Sequence, residues 1–172
     1  MLANKKVMIF AENIYEDLEL WYPKLRLTEE GAKVIVAGTG EKTYKGKNGY
    51  PLEVDGGIKE YKPNDFDAVV VPGGFAPDKL RRYKEVLDFV AEMHKNNKVI
   101  AAICHGAWVL VSAKILKGKK VTCVAAIKDD VINAGAAYLD KEVVVDGNII
   151  TSRKPDDLPA FCREIIKALG VQ

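Results

Sequence analysis

Short apolar runs alternate along this chain with segments in which apolar residues recur every three or four positions. The runs have the length and composition of buried β-strands, and the spaced patterns are typical of helices that bury one face. Strands are predicted over residues 7–11, 33–37, 67–71, 98–103, 121–126, 143–145 and 148–151. Because these strands are apolar on both faces and are separated by helices, they predict a parallel sheet covered by helices on both sides.

The predicted helices each carry an apolar stripe. The stripe of the first helix consists of Leu18, Trp21, Tyr22 and Leu25. Later helices are predicted over 86–93, over 108–116, and after an N-cap at Asp156 or Asp157. The segment Tyr44–Val54 contains glycines and a proline and predicts a hairpin. Together these elements predict an α/β fold: a flavodoxin-like three-layer sandwich with a mostly parallel central sheet.

The composition is that of an ordinary globular protein. Of 172 residues, 48% are hydrophobic and 29% are charged, which argues against disorder and fits a single domain over 1–172. The 26 Lys and Arg nearly balance the 24 Asp and Glu, so the net charge of +2 gives no indication of binding to nucleic acid or to an anionic membrane. No signal peptide or membrane span is recognised, and the sequence predicts a cytoplasmic protein with reduced thiols.

One strand exit carries the residues best suited to covalent chemistry. The predicted strand 98–103 runs directly into Cys104, His105 and Gly106, and a helix follows. A sharp strand-to-helix turn of this kind is a nucleophile elbow, which lifts a side chain out of the sheet and places it at a helix N-terminus. This arrangement predicts a lowered pKa for the Cys104 thiol. The alternative is a buried cysteine that merely ends a strand.

Two further strand exits are expected at the same edge of the sheet. The segment Pro72–Gly74 has no bulky side chains after its proline, so the Gly74 N–H can approach a ligand and form an oxyanion hole with the N–H of His105. The first strand is followed by three acidic residues, Glu12, Glu16 and Asp17. One of their carboxyls can hydrogen-bond the cysteine sulfur, or they can cap the next helix, and composition does not separate these roles.

The chain has only two histidines. His105 follows the elbow cysteine directly, but side chains of neighbouring residues on a turn point apart, so it need not be the direct proton acceptor. His94 lies at a polar helix end and is predicted to be solvated. No phosphate loop, complete dinucleotide fingerprint or metal-ligand spacing is present, and no cofactor or metal is therefore expected.

These residues resemble the ThiJ/PfpI family, and in particular its branch of intracellular proteases named PfpI. The resemblance covers essentially the whole chain. Its motifs are Tyr15–Leu20, Val71–Asp78, Ala102–Gly106, Ile127–Gly135 and Val143–Asn148. The resemblance implies the flavodoxin-like sandwich, of the class I glutamine amidotransferase-like kind.

The resemblance also implies roles for particular residues. Cys104 would be the nucleophile, His105 its partner, and Glu16 the carboxyl that contacts the thiol. Gly74 and His105 would supply the N–H groups of the oxyanion hole. In the protease branch an acidic residue of a neighbouring subunit completes a Cys-His-Glu triad, and the matching position here is Asp78, which is one methylene shorter.

Assembly and one substitution follow from the same resemblance. Members of the family form homodimers, or hexamers built from dimers, with their sites at interfaces. Val124 stands where close relatives place a tyrosine, so a hydrogen-bond donor is missing there and substrate handling is expected to differ.

The implied function is that of a cysteine-dependent hydrolase whose thiol attacks the carbonyl of a peptide or of a small aldehyde. Peptidase, glyoxalase and deglycase activities are all compatible with it. The alternative is a non-enzymatic oxidative-stress sensor or chaperone that uses the same low-pKa cysteine. A glutamine amidotransferase is rejected, because it needs a histidine downstream of the cysteine and none follows His105.

Overall fold

The computed structural model describes residues 1–170, and residues 171 and 172, the last two of the predicted domain, lie outside the described part. The strands in the described part are β1 (Lys6–Phe10), β2 (Lys33–Gly38), β3 (Thr43–Lys45), β4 (Pro51–Glu53), β5 (Gly56–Gly57), β6 (Ala68–Val71), β7 (Val99–Ile103), β8 (Lys120–Val121), β9 (Ala137–Tyr138), β10 (Val144–Asp146) and β11 (Ile149–Ser152). The helices are α1 (Asp17–Glu29), α2 (Ala76–Leu80), α3 (Lys84–Lys95), α4 (Ala107–Ser112), α5 (Lys128–Asn133) and α6 (Leu158–Gly170).

The main sheet has seven strands in the order β10-β11-β7-β6-β1-β2-β5. All neighbouring pairs are parallel except β10 and β11, which pair antiparallel at one edge. The central strands β6 and β7 are buried along their whole length, as continuous apolar runs require. The predicted α/β fold with a mostly parallel central sheet is confirmed.

Helices cover the sheet in two groups. α1 packs against α6, and α3 packs against α4. α3 buries the stripe Val86, Phe89, Val90 and Met93, whose spacing places one apolar face on the sheet. No helix of residues 1–170 combines the length and the apolar character that crossing a membrane requires.

The first helix buries a different face from the one that its apolar stripe predicts. The buried residues of α1 are Glu19, Leu20, Pro23 and Leu27. Leu18 and Leu25, which the apolar stripe predicts to be buried, are 57% and 60% exposed. Pro23 is inside the helix, and the helix continues past it to Glu29. The side of α1 that faces the sheet therefore carries a buried carboxylic acid.

A hairpin of β3 and β4 confirms the prediction for Tyr44–Val54. It lies against the exit of β1, because the N–H of Ile14 donates to the carbonyl of Lys45 at 2.9 Å and the N–H of Lys47 donates to the carbonyl of Tyr15 at 2.8 Å. The hairpin thus brings residues that are far along the chain to the carboxyl end of the central strands.

Two predicted boundaries are wrong. The strand expected over 121–126 ends at Val121, because the chain turns away there: the N–H of Thr122 donates to the hydroxyl of Thr151 at 2.9 Å, and a 3₁₀ turn begins at Ala125. The helix expected over 108–116 ends at Ser112, and Lys114 then adopts a φ of +60°, which no helix accommodates.

Candidate active site

Three strand exits meet at one edge of the sheet, as expected. Strands β7, β6 and β1 are neighbours and run parallel, so the segments that follow them are also neighbours. Tyr15, after β1, forms a backbone bridge with Gly74, after β6. The segment after β7 begins with Cys104.

Cys104 occupies a strained elbow. Its φ is +60°, a value rare for a residue with a side chain, and the preceding Ile103 is extended. The chain then makes a 3₁₀ turn over Cys104–Gly106 and enters α4 at Ala107. The predicted turn geometry is therefore present, and it holds the thiol half-buried at the end of the sheet.

The imidazole of His105 lies beside the thiol. Its Nδ1 is 3.3 Å from the Cys104 sulfur, which corrects the expectation that these neighbouring side chains point apart. The positive φ at Cys104 turns the two side chains toward each other. Burial lowers the pKa of His105, and the charge of Lys47 lowers it further. At neutral pH the ring is therefore uncharged and can accept a proton.

The thiol itself is not pre-ionised. Burial raises the pKa of Cys104 to about 12, and the charge of Glu19 acts in the same direction. The backbone N–H groups of His105 and Gly74 favour the thiolate but do not outweigh burial. The expected lowering of this pKa is therefore wrong, because desolvation of the thiolate outweighs the N–H groups that stabilise it. Nucleophilic attack from Cys104 needs a base, and His105 is within reach.

A buried carboxyl lies next to the thiol, but it belongs to Glu19 and not to Glu16. The Glu16 side chain accepts the N–H of Glu19 at 3.1 Å and caps α1, so the expected contact of Glu16 with the thiol is corrected. Glu19 is fully buried, and its Oε1 accepts the N–H of Gly73 at 3.0 Å. Its Oε2 has no hydrogen-bond partner within residues 1–170.

Gly73 separates this carboxyl from the thiol. A Cβ at Gly73 would lie 2.7 Å from the Cys104 Cβ and 3.1 Å from its sulfur, and it would also collide with Oε1 of Glu19. Only glycine leaves room for the two side chains to lie on either side of the same backbone atom. Three elements, the segments after β6 and β7 and the first turn of α1, therefore approach one another closely at this glycine.

The Glu19 carboxyl is protonated at neutral pH. Burial raises its pKa to about 8, and the neighbouring charge of Glu16 contributes in the same direction. A protonated carboxyl carries an O–H donor. Since Oε1 is occupied by Gly73, the free Oε2 is available to donate to negative charge that forms beside the thiol.

Asp78 lies on α2 and is exposed. Its carboxylate pairs with Arg82 one helical turn later, and within residues 1–170 no carboxylate bonds to the His105 ring. The expectation that Asp78 of a second subunit completes a triad stays a prediction.

Val124 donates its backbone N–H to the carbonyl of Cys104 at 3.5 Å, so this residue borders the elbow through its main chain.

The sequence did not predict that Trp108 contacts the ring of His105, nor that Asp130 and Arg81 hold this tryptophan in place. The ring of Trp108 lies edge-on at 5.1 Å from the imidazole. Its indole N–H donates to Asp130 at 2.7 Å, and the Arg81 guanidinium stacks at 5.2 Å from the ring. These contacts fix the tryptophan, and the tryptophan limits rotation of the imidazole away from the thiol. The spacing of three residues from His105 to Trp108 along a helix start is the signal that could have predicted the contact.

Comparisons with known proteins find similar chains of almost equal length. A model of the DJ-1/PfpI family matches residues 5–168. The chain is 44% identical over 164 residues to the deglycase PfpI of Pyrococcus furiosus, which covers 95% of this chain and 99% of that protein. It is 47% identical to an uncharacterized protein of Archaeoglobus fulgidus, with 95% of this chain and 98% of that protein covered.

Solved structures show the same fold. A two-domain protein from Anabaena variabilis, with DJ-1/ThiJ/PfpI-like and ferritin-like domains, superposes with a TM-score of 0.94 at 46% identity over 97% of this chain and 48% of that one. DJ-1beta of Drosophila melanogaster superposes with a TM-score of 0.91 at 29% identity over 97% and 91% of the two chains. Because the family model spans nearly the whole chain and relatives of almost equal length are closely similar, the chain belongs to the DJ-1/PfpI family.

Proposed function

We propose that this protein is an enzyme of deglycase type, in which the Cys104 thiol attacks a small reactive carbonyl compound or its adduct with a thiol or amine. The observation that carries the proposal is the 3.3 Å contact between the Cys104 sulfur and Nδ1 of a neutral imidazole on a strained elbow. The name deglycase, borne by relatives from three Pyrococcus species at 44–45% identity, supports the substrate class.

The proposed first step is an addition. The thiol proton passes to Nδ1 of His105, a bond forms between sulfur and the carbonyl carbon, and the electron pair of the carbonyl moves to its oxygen. The N–H groups of Gly74 and His105, which already favour negative charge on the sulfur, are suited to receive the alkoxide. A protonated Glu19 on the other side of Gly73 limits the accumulation of negative charge near the thiol.

For methylglyoxal the overall conversion is the addition of one water to give lactate. The aldehyde carbon is oxidised to the acid while the adjacent ketone is reduced to the alcohol, so no external redox partner is needed.

The raised thiol pKa argues against the alternative of an oxidation sensor, because susceptibility to peroxide follows the thiolate fraction. Peptide hydrolysis, the other candidate activity, is measured in the same test.

The test uses the purified full chain with the hemithioacetal of methylglyoxal and N-acetylcysteine. Lactate formation is the readout, because the adduct dissociates spontaneously and its mere disappearance would not require an enzyme. We expect lactate to form in proportion to protein concentration, with little cleavage of an unstructured peptide assayed in parallel. If lactate does not exceed the protein-free blank, or if the peptide is the better substrate, the proposal fails.

A further inference from the structure

The loop Gly46–Tyr50 places a lysine at the entrance to the candidate site. Tyr15 forms a backbone bridge with Gly46 on one side and with Gly74 on the other. The loop and the segment that holds the Gly74 N–H are therefore separated only by the backbone of Tyr15. Lys47 follows Gly46, and its backbone N–H donates to the Tyr15 carbonyl at 2.8 Å. Its side chain is exposed.

This loop is held in place by hydrogen bonds from its backbone N–H groups. The carboxylate of Asp17, at the start of α1, accepts the N–H of Asn48 at 3.0 Å and that of Tyr50 at 3.3 Å. The N–H of Gly46 donates to the Tyr50 carbonyl at 3.1 Å, and that of Gly49 donates to the Gly46 carbonyl at 2.8 Å. A loop anchored in this way keeps the Cα of Lys47 at a fixed position relative to the elbow, although its side chain stays free.

The ammonium group of Lys47 is available to a ligand. None of the ion pairs within residues 1–170 includes Lys47. Its backbone is bonded to Tyr15, which also bridges with Gly74, and in keeping with this position its charge lowers the pKa values of Cys104, His105 and Glu19. It is the one lysine or arginine whose charge acts on these three groups in the described part of the chain.

The carboxyl groups around this lysine do not occupy it. Asp17 is engaged by the N–H groups of Asn48 and Tyr50, and Glu16 caps α1. Glu19 is buried behind Gly73 and protonated at neutral pH. The entrance therefore carries one ammonium group that no ion pair of residues 1–170 occupies, next to a thiol and a carboxyl that are both protonated at neutral pH, and this arrangement favours an anionic group next to the reacting carbon.

We propose that Lys47 binds a carboxylate carried by the carbonyl compound, so that the site prefers anionic aldehydes and adducts of carboxylate-bearing thiols and amines over neutral ones. This inference rests on the proposed function, because it names the substrate class of the same site. Lys47 would act as a specificity-determining residue: it binds the substrate without taking part in bond formation.

The first test labels Cys104 with two reagents that share a reactive carbon and differ in charge. Iodoacetate carries a carboxylate, and iodoacetamide is its neutral counterpart. The ratio of their rates at Cys104, followed by peptide mass spectrometry, is expected to fall about three- to fivefold in Lys47→Met, the loss expected for one exposed charge pair. Lys47→Arg should keep the wild-type ratio. Since the test needs no turnover, it stands even where the proposed function fails.

Lys45→Met is the matched control, because Lys45 is an exposed lysine on the same hairpin whose charge does not act on Cys104 or His105. An unchanged ratio in Lys47→Met, or an equal fall in Lys45→Met, would overturn the inference. A second arm compares lactate formation from the methylglyoxal adducts of N-acetylcysteine and of its neutral amide. Lys47→Met should lose more kcat/KM for the acid than for the amide, since the effect of its charge on Cys104 and His105 is common to both substrates. Equal losses for both would refute the assignment while leaving the proposed function intact.

Discussion

Replacing Cys104 by serine is expected to lower kcat/KM for lactate formation by at least about a thousandfold. The hydroxyl keeps the size and hydrogen-bonding capacity of the side chain, but it is a far weaker nucleophile with His105 as its only base. The fold should persist, because the substitution neither fills nor empties the elbow. Lactate measured at neutral pH, with thermal unfolding measured alongside, tests this.

Cys162→Ala is the control for this variant. Cys162 is buried on α6, and its pKa, unlike that of Cys123, is not affected by the charge of Cys104. It should keep its rate within about twofold while losing about 1 kcal/mol of stability to the small cavity. A Cys104→Ser protein that retained more than a tenth of the wild-type rate would show that another group performs the attack.

Replacing Glu19 by glutamine is expected to stabilise the protein at pH 8 and to leave it nearly unchanged at pH 5. In the folded chain the pKa of Glu19 is raised from 4.5 to about 8. Between these two values the unfolded chain loses the proton and the folded chain keeps it, so this group makes the wild type less stable as pH rises from about 4.5 to about 8. Glutamine does not titrate, and its side-chain oxygen can still accept the Gly73 N–H.

The expected gain at pH 8 is about 3 kcal/mol, below the full linkage value of about 5 kcal/mol that a shift from 4.5 to about 8 gives at about 1.36 kcal/mol per pH unit. For a chain of this size that is roughly 6–12 °C in the midpoint of thermal unfolding. Glu41→Gln, at an exposed acid, serves as the control and should show the same small difference at both pH values. A Glu19→Gln midpoint that differs equally from the wild type at pH 5 and pH 8 would contradict a buried, protonated Glu19.

The sequence predicted the sheet well because buried parallel strands leave a strong signal. Runs such as Ala68–Val71 and Val99–Ile103 are apolar at every position, and few other structures need such a pattern. The elbow at Cys104 was predictable for the same reason, since a strand that ends in Cys-His-Gly before a helix has little alternative geometry. The order of strand exits then followed from parallel pairing.

The identity of the buried acid was not predictable by counting apolar residues. Leu18 and Leu25 gave α1 an apolar stripe, yet the helix turns Glu19 and Leu27 to the core. Burial of Glu19 is tolerated only because the Gly73 N–H donates to one of its carboxyl oxygens and because the carboxyl keeps its proton. Both conditions depend on the packing of α1 against the segment that follows β6. Local periodicity contains neither of them.

The sequence also did not predict the direction of the pKa shift at Cys104. The helix N-terminus after Cys104 predicts a lowered thiol pKa, whereas the folded chain buries the thiol and leaves the imidazole of His105 neutral. The balance between desolvation and nearby dipoles depends on how deeply the turn sits, which three-dimensional packing decides. Cys104 is therefore a protonated thiol with His105 as the adjacent base.

The most direct test of this arrangement is the pH dependence of kcat/KM for lactate formation in the wild type and in His105→Asn, measured from about pH 5 to about pH 7.5, a range in which Glu19 keeps its proton. The wild-type rate should rise as His105 loses its proton, with a midpoint below 6.5, and should then stay level. In His105→Asn the rate should be far lower and should climb about tenfold per pH unit throughout, since only direct ionisation of the thiol remains. Two profiles of the same shape would contradict the claim that a neutral His105 takes the proton of Cys104.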